Sequence, residues 1–374
     1  MLTPESRAYD FPSLEGIAYL NTAAESIPPP AVAEALADYW DHKVMGMRGR
    51  EFHFARVEEC REVAARFIGL QPAEVSFCSC SSEAYNLLAS ALDLQADDEV
   101  VVTDIDFPAG ATPWLTARAK PRVSVWKIRD GILEVLDLLP LLTTRTRLVQ
   151  LSLVSFYNGY RIPWQNVVDK IRRMAPQAII AVDVTQALGR VVLDCADADV
   201  IISSTHKWSL GIHGGCIVGI PARNASRLTT HAGGWFHIDN AFNDDRFERA
   251  AIKPGAPSFA VGMPSFAPIY ALNASLRYLE DIGVEAIAAH ADPLVAAVDQ
   301  GLRALGLQPM VKINPKYPSG IVAFKHPETA KFHAALEAAN IHVMQHAGRI
   351  RVAVHGYNTR EDVERLLGVL KENL

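Results

Sequence analysis

Apolar residues gather in short, nearly unbroken runs through the first part of the chain: EVVVTD (99–104), RLVQLSLV (147–154), AIIAVDV (178–184), DVIISS (199–204) and GCIVGI (215–220). Runs that are continuous rather than alternating predict strands covered on both faces, as in a mainly parallel sheet sandwiched by helices. The segments between them, such as WQNVVDKIRRMA (164–175), repeat apolar residues at helical spacing. The pattern is that of an α/β fold.

From about Ser265 the texture changes. Longer amphipathic stretches, SFAPIYALNASLRYLEDIG and DPLVAAVDQGLRALG, are followed by GIVAFK, TAKFHAALEAANI, RIRVAV and NTREDVERLLGVLKENL. Helices alternating with few strands predict a compact second domain, and Thr359 with Asp362 three residues on predicts a capping arrangement at the last helix. The Pro- and Gly-rich KPGAPSFAVGMP (253–264) is the natural boundary.

A chain of 374 residues with 49% hydrophobic content can bury a large core. Its formal charge of −6, with no block of like charges, gives no electrostatic reason to expect nucleic acid or an anionic membrane as partner. The N-terminus lacks a basic start with an apolar core, and no apolar run reaches membrane-spanning length. Five cysteines at 60, 78, 80, 195 and 216 are an odd, irregular set, read as reduced thiols in a cytoplasm. No second pair of His or Cys stands at ligand spacing beside His213, His231 and His237, so no metal is expected.

In an open parallel sheet, ligands bind at the carboxyl ends of the strands, and those ends are polar here. Ser81 and Ser82 open a helix whose free N–H groups and hydroxyls can hold a phosphate, although serine is also an ordinary N-cap. Asp183 ends an apolar strand, where an ionised carboxylate is costly unless a cation or several donors meet it. A protonated pyridine nitrogen is one such cation, and a helix-capping role is the plainer alternative. Lys207 follows the next strand beside His206, and enclosure there makes a partly neutral amine nucleophile. Ser204 offers a further phosphate contact. Each residue taken singly is unremarkable; their order along the chain carries the argument.

Phosphate-holding serines, a strand-end acid and a strand-end lysine 24 residues beyond it describe a site for pyridoxal 5′-phosphate (PLP). The chain resembles the class V aminotransferase family of fold-type I PLP enzymes, which includes cysteine desulfurases, kynureninases and isopenicillin N epimerase-like proteins. The resemblance runs from YLNTAAESIPPPAV (19–32) to RIRVAVHGYNTREDVERLL (349–367), with Asp-x-x-Gln at 183–186 and Ser-x-His-Lys at 204–207 as its central motifs. It implies a large PLP-binding domain at 23–260 and a small domain formed by 1–22 with 261–374. It further implies that Lys207 carries the internal aldimine, that Asp183 pairs with the pyridinium nitrogen, and that Gln186 bonds the phenolic oxygen. By the same resemblance Ser81, Ser82, Ser204 and His206 form the phosphate cup, Asn158 sits beside the cofactor oxygen, and Arg351 grips the substrate carboxylate. GAPSFAVG (255–262) resembles a loop that reaches a neighbouring subunit's phosphate, implying a homodimer; Ala256 replaces its usual threonine.

Two departures shape the expected reaction. The desulfurases carry a sulfur-accepting cysteine shortly before the position of Arg351, whereas this chain has no cysteine after Cys216. They also place a histidine over the cofactor ring, where DIDFPAGATPW puts Phe107, which can stack but carries no proton. The expectation is a PLP-dependent enzyme acting at the α-carbon of an amino acid, lyase-like or epimerase-like, with a persulfide-forming desulfurase excluded and an aminotransferase as the alternative. An epimerase needs a second base opposite Lys207, for which Tyr157 and His213 are candidates. A regulatory protein on the same scaffold is disfavoured because only about twenty residues precede YLNTAA. A nicotinamide dehydrogenase is disfavoured because no G-x-G-x-x-G follows an early strand.

Overall fold

A computed structural model describes residues 1–374. After a short strand β1 (Ala18–Tyr19), seven strands build the main sheet: β2 (Val75–Cys78), β3 (Glu99–Thr103), β4 (Arg122–Trp126), β5 (Thr146–Ser152), β6 (Ile179–Asp183), β7 (Val200–Ser204) and β8 (Cys216–Gly219). Their spatial order is β2-β8-β7-β6-β5-β3-β4. Only β8 runs against its neighbours; the other pairings are parallel. This is the α/β layout with a mainly parallel sheet that the continuous apolar runs predict, and it agrees with the fold the family resemblance implies.

The continuous apolar runs have a simple cause. Alternate residues of one strand enter two different cores. Val101, Val149, Leu151, Ile180, Val182, Ile201 and Ile217 join one cluster, which helix Trp164–Met174 closes with Val167, Val168 and Ile171. Val100, Val102, Leu148, Ile179, Ala181, Val200, Ile202 and Val218 join the other, under helix Ser81–Leu92. The edge strand β4 reads RVSVW and leaves Arg122 and Val125 exposed, so it lacks the continuous signature of the inner strands.

The second layer is smaller. Strands β9 (Ile321–Lys325), β10 (Ile341–His342), β11 (Met344–His346) and β12 (Arg349–Ala353) complete the set. β11, β12 and β9 form an antiparallel sheet in that order, and β10 pairs in parallel with β1, which ties the N-terminal segment to this layer. Leu20, Leu294, Val298, Leu302, Phe324, Ile350, Val352 and Leu366 fill its core. The terminal helix Arg360–Glu372 opens on a reciprocal cap: Asp362 N–H donates to Thr359 Oγ1 at 3.2 Å, and Thr359 N–H donates to the Asp362 carboxylate at 3.0 Å. Helix Phe266–Ile282 lies beyond the boundary expected at residue 260, yet it packs Ile269, Leu272 and Leu276 into the core of the main sheet. No helix is long and apolar enough to cross a membrane.

Between β11 and β12 the chain reverses over Ala347 and Gly348, with φ of 51° and 69°. Two consecutive left-handed residues match the twist of the flanking strands, but alanine carries a Cβ penalty there. Ala347→Asn is expected to raise stability by about 1 kcal/mol. The check is a higher urea midpoint with an unchanged slope.

Candidate active site

Strand register brings the polar residues to one edge of the main sheet. Ser152 of β5 lies opposite Asp183 of β6, and Asp183 lies opposite Ile202 of β7. Ser204 and Cys78 both pair with Cys216 of β8. The carboxyl ends of β2, β6 and β7 therefore deliver the Ser81 helix start, Asp183 and the Ser204–Lys207 segment to a common rim.

The glycines after Lys207 explain how that segment is held. Thr205 Oγ1 donates to the Ile212 and Gly215 carbonyls at 2.9 and 3.0 Å, and Gly211 N–H donates to the Thr205 carbonyl at 3.0 Å. A Cβ on Gly211 would meet the Thr205 carbonyl oxygen at 2.6 Å, and one on Gly215 would meet Thr205 Oγ1 at 2.7 Å. Only glycine lets the chain wrap this closely around Thr205 and hold the neighbouring lysine in place.

Lys207 is half-buried, with its Nζ 5.3 Å from the centroid of the Phe107 ring. Burial holds the amine below its ordinary range, Asp183 and Glu25 oppose that shift, and Arg351 adds to it. Asp183 accepts a hydrogen bond from the Tyr85 hydroxyl at 2.8 Å and another from Thr185 N–H at 2.8 Å. Burial, followed by the Asp183 charge, pushes the Tyr85 phenol well up, so Tyr85 remains a donor at working pH. Gln150 in turn donates to the Tyr85 oxygen at 3.2 Å. Ser204 N–H donates to Thr185 Oγ1 at 2.9 Å, fastening the two strand ends together.

Around this centre, helix Ser81–Leu92 starts at Cys80 with no side-chain cap, which leaves its first amides free. His206 stacks on His213 with centroids 4.0 Å apart, and His213 meets Glu25 at 2.7 Å. Burial, then Lys207 and His213, push His206 down to about 4, so its ring is neutral at working pH. Gln186 donates to the Ala23 carbonyl at 3.0 Å and accepts from the Trp208 indole at 2.6 Å, a pair of contacts that fixes its amide. Phe107 is 48% exposed and meets Phe156 edge-on at 5.2 Å. Its loop is anchored by Asp106, which accepts from Thr103 N–H at 3.1 Å and Ser152 N–H at 2.8 Å. Burial pushes Asp106 up to about 6.

Arg351 projects from β12 and is 2% exposed. It donates to the Phe156 carbonyl at 2.9 Å, while its Nε and Nη2 have no partner. Burial and the like charge of Arg349 push it down to about 10, which leaves it charged at neutral pH. A buried guanidinium with unused donors is shaped to receive a planar carboxylate.

One expected residue is not delivered to this rim. Asn158 donates to the Gly131 carbonyl at 2.8 Å and accepts from Tyr160 N–H at 3.1 Å. Its oxygen thus serves the turn at Gly159 and its nitrogen ties that turn to the Gly131 loop, on the wall of a separate cavity of about 710 Å³ that also touches Arg161, Tyr317 and Ile321. Its assignment beside the cofactor is corrected accordingly: an asparagine followed by glycine, with φ of 82° at Gly159, is a turn element here. Tyr85, Asp106 and Arg349 were not found by sequence reasoning. Tyr85 stands one helical turn after Ser81 on a face that reads as core, and Asp106 sits in a loop whose interest lay in Phe107.

The donor set fits PLP on its own terms. A free helix start, a strand-end serine and a neutral histidine suit a phosphate. A strand-end carboxylate suits a protonated ring nitrogen, an exposed aromatic face suits a planar ring, and an amine of lowered pKa suits an aldehyde.

Comparisons agree with this chemistry. The profile of the family described as Aminotransferase class-V matches residues 18–366. The chain is 27% identical, over 97% of its length and 96% of the relative's, to the uncharacterized aminotransferase YcbU of Bacillus subtilis (strain 168). It is 29% identical to the cysteine desulfurase of Cronobacter sakazakii, with 96% of each chain covered. Among solved structures, the apo cysteine desulfurase of Thermococcus onnurineus NA1 superposes with a TM-score of 0.88 at 24% identity, covering 100% of this chain and 98% of that one. The cystine C-S lyase C-DES, solved with its product cysteine persulfide, gives 0.88 at 21% identity, covering 97% and 99%.

These findings overturn the expected reaction. A lyase-like or epimerase-like enzyme with persulfide-forming desulfurases excluded, and an aminotransferase held as the alternative, does not match a set of relatives named repeatedly as cysteine desulfurases. The exclusion rested on one missing cysteine.

His355, fully buried behind the lysine turn, spans the Trp208 carbonyl at 3.0 Å and Gly356 N–H at 2.6 Å, and burial pushes it down to about 3. A histidine depressed from its unfolded value near 6.5 takes up a proton on unfolding. Its contribution to stability is present above about pH 6.5 and is lost as pH falls toward 3. Urea midpoints measured from pH 7 to 4.5 are expected to fall, and to fall less steeply in His355→Gln, which starts lower at pH 7.

Proposed function

The chain belongs to the class-V aminotransferase family and is a PLP-dependent enzyme; we propose that its reaction is removal of sulfur from cysteine or a cysteine-derived amino acid. The observation that carries the proposal is the meeting of Lys207 and Asp183 at adjoining strand ends with Arg351, which reaches the same rim through Phe156 and Phe107 and whose Nε and Nη2 are buried without partners. The choice of sulfur follows the names of the relatives and the alignment along nearly the whole chain.

In this reading Ser81, Ser82, Ser204 and His206 hold the cofactor phosphate, Phe107 covers the ring, Gln186 meets the phenolic oxygen and Lys207 ties the aldehyde to the chain. PLP, when bound, supplies an electron sink for a bond at the substrate α-carbon. Asp183 keeps a proton on the ring nitrogen it faces, and the Tyr85 hydroxyl holds that carboxylate in place. Arg351 orients the substrate through its carboxylate. Lys207, its basicity lowered by burial, is the group that releases and returns a proton. Phe107 and Phe156 keep water from the amine. Sulfur leaves as the outer atom of a persulfide on an accepting thiol, and the three-carbon skeleton leaves as alanine.

Two chains form the working unit in this proposal. The segment leading to residues 255–262 exposes Phe242 and Phe247 at 83% and 90%, and Trp40 and Met47 are also exposed, an apolar surface that supports pairing. The five unpaired cysteines support a reducing, cytoplasmic setting.

PLP-loaded protein given L-cysteine and a thiol is expected to release alanine and sulfane sulfur in equal amounts. No alanine from cysteine or cystine, with turnover of another amino acid, sinks the proposal. Cys80, the exposed one of the five thiols, allows a parallel readout: persulfide tagging of Cys80→Ser separates capture by this residue from transfer to the added thiol. Arg351→Ala is expected to raise KM about 30-fold while the cofactor absorption band stays.

A further inference from the structure

Strand β12 has two faces with opposite character. Ile350 and Val352 point into the small core with Val322 and Phe324, their partners in β9 or its neighbours. Arg349, Arg351 and Ala353 take the other face, toward the main sheet, where Ile321 and Ala353 join the large core. Two arginines two residues apart on one strand therefore face the lysine rim, with Cα atoms about 6.7 Å apart.

Arg349 has no assigned task. It is 2% exposed, and its guanidinium stands 4.3 Å over the Tyr157 ring and 5.9 Å over Phe156. Phe156 in turn touches Phe107, which lies under Lys207. The only hydrogen bond from the Arg349 side chain goes to the His346 carbonyl at 3.3 Å; its Nε and Nη2 are buried without partners. No carboxylate forms an ion pair with it. The residues directly opposite it add to the imbalance: Lys325 on β9 and His346 on β11 share its face. A buried cation left without a counter-ion is costly unless an anion arrives from outside. Burial also holds its pKa below the ordinary value, with the Tyr157 ring in opposition.

We infer that Arg349 receives a second carboxylate, carried at the far end of the substrate side chain, so that among cysteine and its derivatives the enzyme binds those with two acidic ends more tightly than those with one. This rests on the reading above that Arg351 takes the α-carboxylate. Arg349 is then a specificity-determining residue beyond the carboxylate-binding arginine expected of the family, and Tyr157 is the plate on which its guanidinium lies.

The test compares S-carboxymethyl-L-cysteine with S-methyl-L-cysteine, which differ by the added carboxylate. Binding to the PLP-loaded protein is followed by calorimetry and by the cofactor absorption band. The native protein is expected to bind the carboxymethyl compound about 30-fold more tightly, the weight of a charge-assisted hydrogen bond. Arg349→Gln is expected to erase that preference while binding S-methyl-L-cysteine as the native protein does, and Arg349→Lys to restore part of it. Equal affinity of the native protein for both compounds overturns the inference. So does an equal loss for both in Arg349→Gln, whether or not its melting temperature or oligomeric mass changes with it. Because binding requires no turnover, the preference can hold while cysteine yields no alanine; in that case the sulfur reading falls and the role of Arg349 stands. A response of S-methyl-L-cysteine binding to Arg351→Ala checks the shared premise separately.

Discussion

A half-buried amine facing a strand-end carboxylate is the constraint around which the rest of the molecule is arranged. Lys207 follows β7 and Asp183 ends β6, two parallel neighbours, so ordinary sheet register sets them at the same rim. The carboxylate there is met by donors, from the Tyr85 hydroxyl and Thr185 N–H, as a strand-end acid requires. The surroundings keep the pair from relaxing: Tyr85 and Thr185 hold the carboxylate, and the glycine-rich return around Thr205 holds the segment bearing the amine. Rigidity of this kind is what a covalently held cofactor requires, because a small misplacement of the reacting carbon is expensive in rate.

The inner strands were legible because burial on both faces leaves no polar alternation to confuse with a helix. β3, β5, β6, β7 and β8 all lie within the continuous runs read from the sequence, to within a residue or two. β4 escaped notice for the opposite reason: as an edge strand it exposes Arg122 and Val125 and carries a mixed pattern. Composition marked the Pro- and Gly-rich stretch before Ser265 as a boundary, but packing is decided by which face of a helix is apolar. Helix Phe266–Ile282 has Ile269, Leu272 and Leu276 on one stripe and lays that stripe on the main core.

At the site, residues that end strands were readable and residues that support them were not. Asp183, Ser204, His206 and Lys207 occupy positions where a polar side chain interrupts an apolar run, which is a signal in one sequence. Tyr85 and Asp106 act through hydrogen bonds that only the folded chain creates, and nothing in their local pattern separates them from a core tyrosine and a loop acid. Asn158 shows the reverse error, since a polar residue in a suggestive stretch proves to be committed to a turn. The reaction was misjudged on similar grounds. One cysteine missing from one loop was given more weight than the likeness of the rest of the chain to relatives named as cysteine desulfurases.

The small sheet contributes more than a lid to this arrangement. Its β12 spends one face on a hydrophobic core, which fixes the strand in place, and turns the other face, with two buried guanidiniums, toward the lysine. The two faces are mechanically one object, because a one-residue slip in register would exchange arginine for isoleucine at the rim. The tight reversal at Ala347 and Gly348 pins that register from one end, and the pairing of Ala353 with Ile321 pins it from the other. Two positive charges are thereby set on the face of β12 turned toward the main sheet, while the site's own carboxylate, Asp183, belongs to a strand end of that sheet. Under the proposal that each arginine takes a carboxylate, an anionic amino acid would supply the counter-charge that Arg349 and Arg351 lack within the chain.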